Sequence, residues 1–233
     1  MHDVVKQIHF HKRLNPVLWE NGALRPEVSK HLRQIAASFW KFVDIENVKI
    51  LDITISGSNA AFTYSDGSDI DLHIIVRVPT SKEKLYKNFF DTKKNLWNDQ
   101  HTLSIHGYPV ELYVQLAGET HTSAGIYSIK NEDWVKRPEQ IKASVDHHDV
   151  AQKYGYYSRR IRQTIENDDL PLAKRFLKRL GKYRKQGLAS HGEFGTANLV
   201  YKILRKNNYI DKLRKFVTTQ EDKLLSLPEN ARE

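Results

Sequence analysis

Cysteine is absent from all 233 residues. That excludes disulfides and thiolate metal sites, and it makes a reducing cytosol the simplest setting. No window approaches the roughly 18 consecutive apolar residues that a membrane-spanning helix needs. The segment from Met1 to Trp19 carries charge and histidine but no apolar core, so it does not read as a secretory signal. Internal repeats and low-complexity tracts are also missing, which argues against a solenoid or a disordered chain. What is present is a globular composition, 39% hydrophobic and 28% charged, on a chain long enough for one large domain or two small ones.

The net charge of +9 is unevenly placed. Residues 1–149 hold 18 basic and 19 acidic side chains, whereas residues 150–233 hold 19 and 9. A neutral front is therefore followed by a strongly basic back. Such a lobe suits a polyanionic partner, a nucleic acid or a nucleoside triphosphate, or else it is a solvated helical surface rich in lysine.

Periodicity divides the chain in the same way. From Pro26 the apolar positions Val28, Leu32, Ile35, Ala36, Phe39, Trp40 and Val43 recur at helical spacing, which predicts a helix ending near Asp44. Residues 48–56 alternate as a β-branched strand. Residues 70–78 form a second strand, and its run Ile74-Ile75-Val76 marks a central position. Pro79 ends that strand, and Ser81 is placed to cap a helix reaching about Asn98. A hairpin is expected around His106-Gly107-Tyr108-Pro109, with its second strand at Val110 to Leu116. Residues 117–140 read as loop with a short strand near Ile126 to Ile129. Beyond Asp146 the pattern is helical, with helices expected at 147–166, 171–187, 195–207 and 208–225 and Gly187 among the breakers. The expected architecture is α+β: a mixed β-sheet with flanking helices over residues 1–140, then a basic all-helical domain over residues 141–233.

The chemistry-bearing stretch is Gly57-Ser58, ten residues, then Asp69-Ile70-Asp71 at the start of the second strand. Asp69 and Asp71 are two apart on a strand, so both side chains leave the same face. Carboxylates held that close repel unless a divalent cation lies between them. Oxygen-only ligands fit Mg2+ or Mn2+. Glu111, between Val110 and Leu112 on the later strand, is the candidate third acid, able to complete the metal site and to help deprotonate a hydroxyl. Gly57 permits a sharp turn and close approach of a phosphate. The Ser58 hydroxyl and the amides of Ser58 and Asn59 can donate to its oxygens. His73 lies on the same face as Asp71, either to touch a substrate or to fill space beside the sheet.

This pattern resembles the active site of the DNA polymerase β-type nucleotidyltransferase superfamily, across roughly residues 50–116. The resemblance implies a small mixed sheet and two-metal transfer of a nucleotidyl group from a triphosphate. It implies Asp69 and Asp71 as metal ligands, Glu111 as third carboxylate, and Gly57 and Ser58 as holders of the triphosphate. Two departures stand out. The third acid is Glu where Asp is commoner in the family, and Asn59-Ala60-Ala61 follows Gly57-Ser58 where a further glycine is usual. The segment Tyr108 to Gln115 also resembles the Glu-bearing strand of alarmone synthetases, which lack a Gly-Ser/Asp-x-Asp pair of this form.

In the basic back, Lys174, Lys178 and Lys182 recur every four residues beside Arg175 and Arg179. Like charges in that array disfavour the helix, so an anion is one counterpart and solvent the other. The run after Gly187 is similar to the helical domain of poly(A) polymerases and oligoadenylate synthetases, a match that implies Lys182 reaching the triphosphate. The chain also bears a resemblance to predicted nucleotidyltransferases of tailed phages. Tyr154, Tyr156 and Tyr157 with Arg159 and Arg160 read as core aromatics and surface charge rather than a base-stacking platform.

The function expected is Mg2+- or Mn2+-dependent transfer of a nucleoside monophosphate from a triphosphate donor to a hydroxyl, with RNA or a nucleotide as the favoured acceptor. A protein hydroxyl or a small molecule stays open, as does oligomeric state. The alternatives are a silent triphosphate- or RNA-binding module and, further off, pyrophosphate transfer.

Overall fold

The computed structural model describes residues 11–120, 123–140 and 145–227. Residues 1–10 of the segment read as lacking a signal, and residues 141–144 at the expected domain boundary, lie outside them. The chain divides into two compact units, His9–Ile141 and Lys142 onward.

The first unit opens with a small hairpin, β1 (Trp19–Glu20) and β2 (Ala23–Leu24), turned at Asn21-Gly22. Helix α1 (Pro26–Val43) follows. Pro26 falls in its first turn, where the missing N–H has no helical partner to lose. Val28, Leu32, Ala36, Phe39 and Val43 form its buried stripe. Asp44 closes it in a left-handed conformation, φ 51°.

Six strands make the main sheet: β3 (Lys49–Ser56), β4 (Ile70–Arg77), β5 (Ser104–Ile105), β6 (Tyr108–Leu116), β7 (Ile126–Ser128) and β8 (Asp133–Lys136). Their order is β5-β6-β4-β3-β7-β8, and only the β4–β6 pair is parallel. Parallel neighbours need a crossover, and helix α2 (Glu83–Gln100) supplies it. β4 is central, as its apolar run implies. Ile70, Leu72, Ile74 and Val76 are fully buried beneath α1 and α2. Each such side chain contributes about 1.5–3 kcal/mol through burial. That fixes the register, since a one-residue slip would bring Asp71 and His73 to the apolar face. On the outer side of β6, Asn98 of α2 donates to the Leu112 carbonyl and accepts from its N–H, both at 3.3 Å, so this edge carries fewer open backbone groups.

Three expectations about secondary structure are corrected. Ser81 does not cap α2. It lies inside the 3₁₀ turn Thr80–Lys82 that follows Pro79, and the helix starts after Lys82 with no side-chain cap. Residues 117–140 are not loop apart from one short strand, because β8 pairs with β7 at the sheet's edge. Gly187 does not break a helix, for the reason given next.

In the second unit, helices α3 (His147–Glu166), α4 (Leu170–His191), α5 (Thr196–Lys206) and α6 (Tyr209–Leu225) enclose a core containing Val150, Ile161, Phe176, Leu180, Val200 and Leu213. Asp146 and Asp169 cap α3 and α4 by accepting from the Asp149 and Leu172 amides at 2.9 and 2.8 Å. Gly187 sits within α4 where a Cβ would lie 2.4 Å from Ala197 Cβ of α5. The glycine is there for close helix packing, which outweighs its poor helix propensity. Tyr157 belongs to the core, Tyr154 packs against it, and Arg159 and Arg160 are exposed, in keeping with their reading as core and surface; the reading of Tyr156 as core is corrected, since it is exposed. Among the described residues, no helix is long and apolar enough to cross a membrane.

Candidate active site

The parallel register sets the site. Asp71 of β4 lies directly beside Glu111 of β6, and Ser56 of β3 flanks Asp71 on the other side. Asp69 enters two residues before Asp71 on the same face. One oxygen from each of Asp69, Asp71 and Glu111 lies within 4.8 Å of the other two, and all three residues are half-buried. At that separation each like-charged pair repels by about 3 kcal/mol at an effective dielectric near 20. A divalent cation held between them would offset this repulsion, and an all-oxygen donor set suits a hard cation.

The turn after β3 is shaped around these acids. Gly57 has φ 76° and ψ −161°, a region that in practice only glycine occupies. Its N–H donates to Ser123 Oγ at 3.0 Å. Ser58–Ala60 form a single 3₁₀ turn rather than a longer helix. The turn therefore presents backbone amides without the macrodipole of a full helix. The Ser58 hydroxyl donates to Ser68 Oγ at 2.9 Å, and Ser68 Oγ also accepts from the Ser65 amide. The Asn59 side chain is buried. It donates to the Asp69 carbonyl at 2.9 Å and accepts from Asn15 at 3.0 Å, while the Asn59 carbonyl accepts from Trp19 Nε1 at 2.7 Å. These bonds tie the Gly57-Ser58 turn to the loop that delivers Asp69.

Tyr113 escapes the sequence reading. It lies two residues after Glu111 on the same face, and its hydroxyl donates to Glu111 Oε2 at 2.5 Å. Its ring stacks on His73 with centroids 5.0 Å apart and planes 19° apart, and Lys94 Nζ lies 5.0 Å from the ring centre. Burial first, then the Asp71 charge, raises the phenol well above its ordinary value, so it stays protonated and donates. The i, i+2 spacing from Glu111 was the available signal. Ser123 and Ser68, which engage the Gly57 amide and the Ser58 hydroxyl, carry no such signal.

A cavity of about 460 Å³ lies further along β4 and β6, bordered by the residues that follow Asp71 and Glu111 at i+2 rather than by the carboxylates themselves. Its walls include His73, Tyr113 and Gln115 from the sheet, and Lys87, Asp91 and Glu119 at the rim. Lys87 and Glu119 form an ion pair. His73 stacks on Tyr113 and lines this cavity, in keeping with a histidine that fills space beside the sheet. Lys182 belongs to the second unit, exposed on α4.

Residues 32–145, just under half of the chain, match the family model described as a nucleotidyltransferase domain. Residues 32–145 are a nucleotidyltransferase domain. The match takes in Gly57, Ser58, Asp69, Asp71 and Glu111, so the polymerase β-type resemblance holds. Curated proteins give no significant match. Among solved structures, the STING-associated CdnE c-di-GMP synthase from Capnocytophaga granulosa is similar at 16% identity, over 88% of this chain and 70% of that one, with a TM-score of 0.25. A likeness of that size says nothing about what this nucleotidyltransferase domain acts on. The mixed sheet, flanking helices and helical C-terminal part agree with the fold expected of the family.

Proposed function

We propose that the protein transfers a nucleoside monophosphate from a nucleoside triphosphate to a hydroxyl, releasing pyrophosphate, with Mg2+ or Mn2+ as cofactor. The observation that carries this is the convergence of Asp69, Asp71 and Glu111 within 4.8 Å on a matched nucleotidyltransferase domain. Bound at this triad, the metal supplies charge neutralisation for the phosphoryl oxygens and a lowered pKa for the attacking hydroxyl.

The chain's own groups do the rest. Asp69 and Asp71 would hold the cation with Glu111 as a third ligand, and Glu111 would accept the proton of the acceptor hydroxyl. The Ser58 hydroxyl and the amides of Ser58 and Asn59 bind the triphosphate, with Gly57 allowing it close. The cavity bordered by His73 and Tyr113 has room for a nucleoside, which fits RNA or a nucleotide as acceptor. The surplus of cations in the helical unit, Lys182 among them, attracts these polyanionic substrates. A cysteine-free chain suits a reducing cytoplasm.

The test is incubation of the purified protein with radiolabelled triphosphates, Mg2+ or Mn2+, and RNA or nucleotide acceptors. Incorporation or pyrophosphate release is expected, and the double variant Asp69→Ala, Asp71→Ala should abolish it while the protein stays folded. Turnover unchanged in that variant overturns the assignment. Salt-sensitive RNA binding without turnover in the wild type favours the silent binding module instead.

A further inference from the structure

We propose that Tyr113 is a positioning residue that holds Glu111 in its metal-binding orientation, an inference that rests on the proposed metal site. Glutamate has one more side-chain torsion than aspartate, and fixing it costs rotamer entropy. A Glu in the third position of the triad therefore needs something to hold its carboxylate still. The parallel register provides it: the pair Asp71 and Glu111 is followed on the same face by the pair His73 and Tyr113. The Tyr113 hydroxyl donates to Glu111 Oε2 at 2.5 Å. A hydrogen bond to a charged oxygen is of the stronger kind.

Tyr113 is itself held. His73 stacks on its ring with planes 19° apart, and Lys94 Nζ approaches to 5.0 Å of the ring centre. Lys94 is in turn 3.8 Å from Asp91 on α2. The phenol is thus fixed by groups from β4 and α2 and acts on Glu111 of its own strand. Partners that orient a metal ligand from behind typically change metal affinity by 10–100-fold when removed.

The experiment is an Mn2+ titration of the full chain, reading free ion by electron paramagnetic resonance, alongside turnover and apo melting. Tyr113→Phe keeps the ring, its stack and its volume and removes only the hydroxyl. It should bind Mn2+ about tenfold more weakly, melt only a few degrees below the wild type without metal, and recover turnover at high Mn2+. In a Glu111→Gln background the same substitution should change Mn2+ affinity no further, because the tether then has no ligand to serve. Wild-type Mn2+ affinity in Tyr113→Phe overturns the proposal, as does a full additional loss in the Glu111→Gln background. Wild-type affinity in Glu111→Gln itself overturns the metal site, and the proposal falls with it.

Discussion

Gly57 and Asp71 lie so close that a Cβ on residue 57 would stand 1.9 Å from Asp71 Oδ2. The contact joins the turn at the end of β3 to Asp71 at the start of β4. Any side chain at 57 must displace the carboxylate, and it must also adopt φ 76°, ψ −161°.

Gly57→Ala should therefore affect both stability and chemistry. The backbone strain alone costs about 1–3 kcal/mol. In a chain of this size that lowers the melting temperature by several degrees, roughly 2–4 °C per kcal/mol. The displaced carboxylate should reduce nucleotidyl transfer by about 10²-fold, since misplacement by about an ångström has that effect. Melting and turnover assays on one preparation check both. Near-wild-type turnover in Gly57→Ala would mean that the position of Asp71 is not needed for the reaction.

The triad predicts effects of opposite sign with and without metal. Three carboxylates within 4.8 Å repel when no cation is bound. Glu111→Gln removes one charge at constant shape, and its amide oxygen can still accept from Tyr113. In a chelator, this variant should melt a few degrees above the wild type, by roughly 1–2 kcal/mol once solvent screening of half-buried groups is allowed for. With Mg2+ and triphosphate the order should reverse, because ligands stabilise only the form that binds them. Thermal melts in the two buffers decide the matter. A lower melting temperature for Glu111→Gln in chelator would show that repulsion in the triad is not a significant cost.

Much of this site was legible in the sequence because its signals are local. Asp69 and Asp71 sit two apart on a strand, and the apolar run at Ile74 to Val76 places that strand at the centre of the sheet. Glu111 was legible as an acid on a later strand. Its alignment with Asp71 depends on the β4–β6 register, which no local spacing encodes. Tyr113 was missed because a strand tyrosine looks the same whether it packs or donates to a carboxylate. β8 was missed because Asp133–Lys136 is short, largely exposed and at an edge, so it shows little alternation. The error at Gly187 has the same root: propensity describes one helix, and the reason for this glycine is on another.

That last point gives a paired prediction within α4. Gly181 and Gly187 are both interior to the helix, and Ala is better than Gly there by about 0.8–1 kcal/mol. At Gly181 an added Cβ meets nothing within 4 Å, so Gly181→Ala should stabilise by up to that amount. At Gly187 the Cβ would lie 2.4 Å from Ala197 Cβ and 3.5 Å from Ala197 Cα. Neither atom is the tip of a flexible side chain. Relief requires α4 and α5 to move apart, and overpacking of this kind costs about 1–3 kcal/mol. That exceeds the propensity gain over most of its range, so Gly187→Ala should be net destabilising by as much as 2 kcal/mol. Urea unfolding of the two variants, compared at equal m-values, should shift the midpoint in opposite directions. Stabilisation by both would mean that α4 and α5 are not in close contact at Gly187.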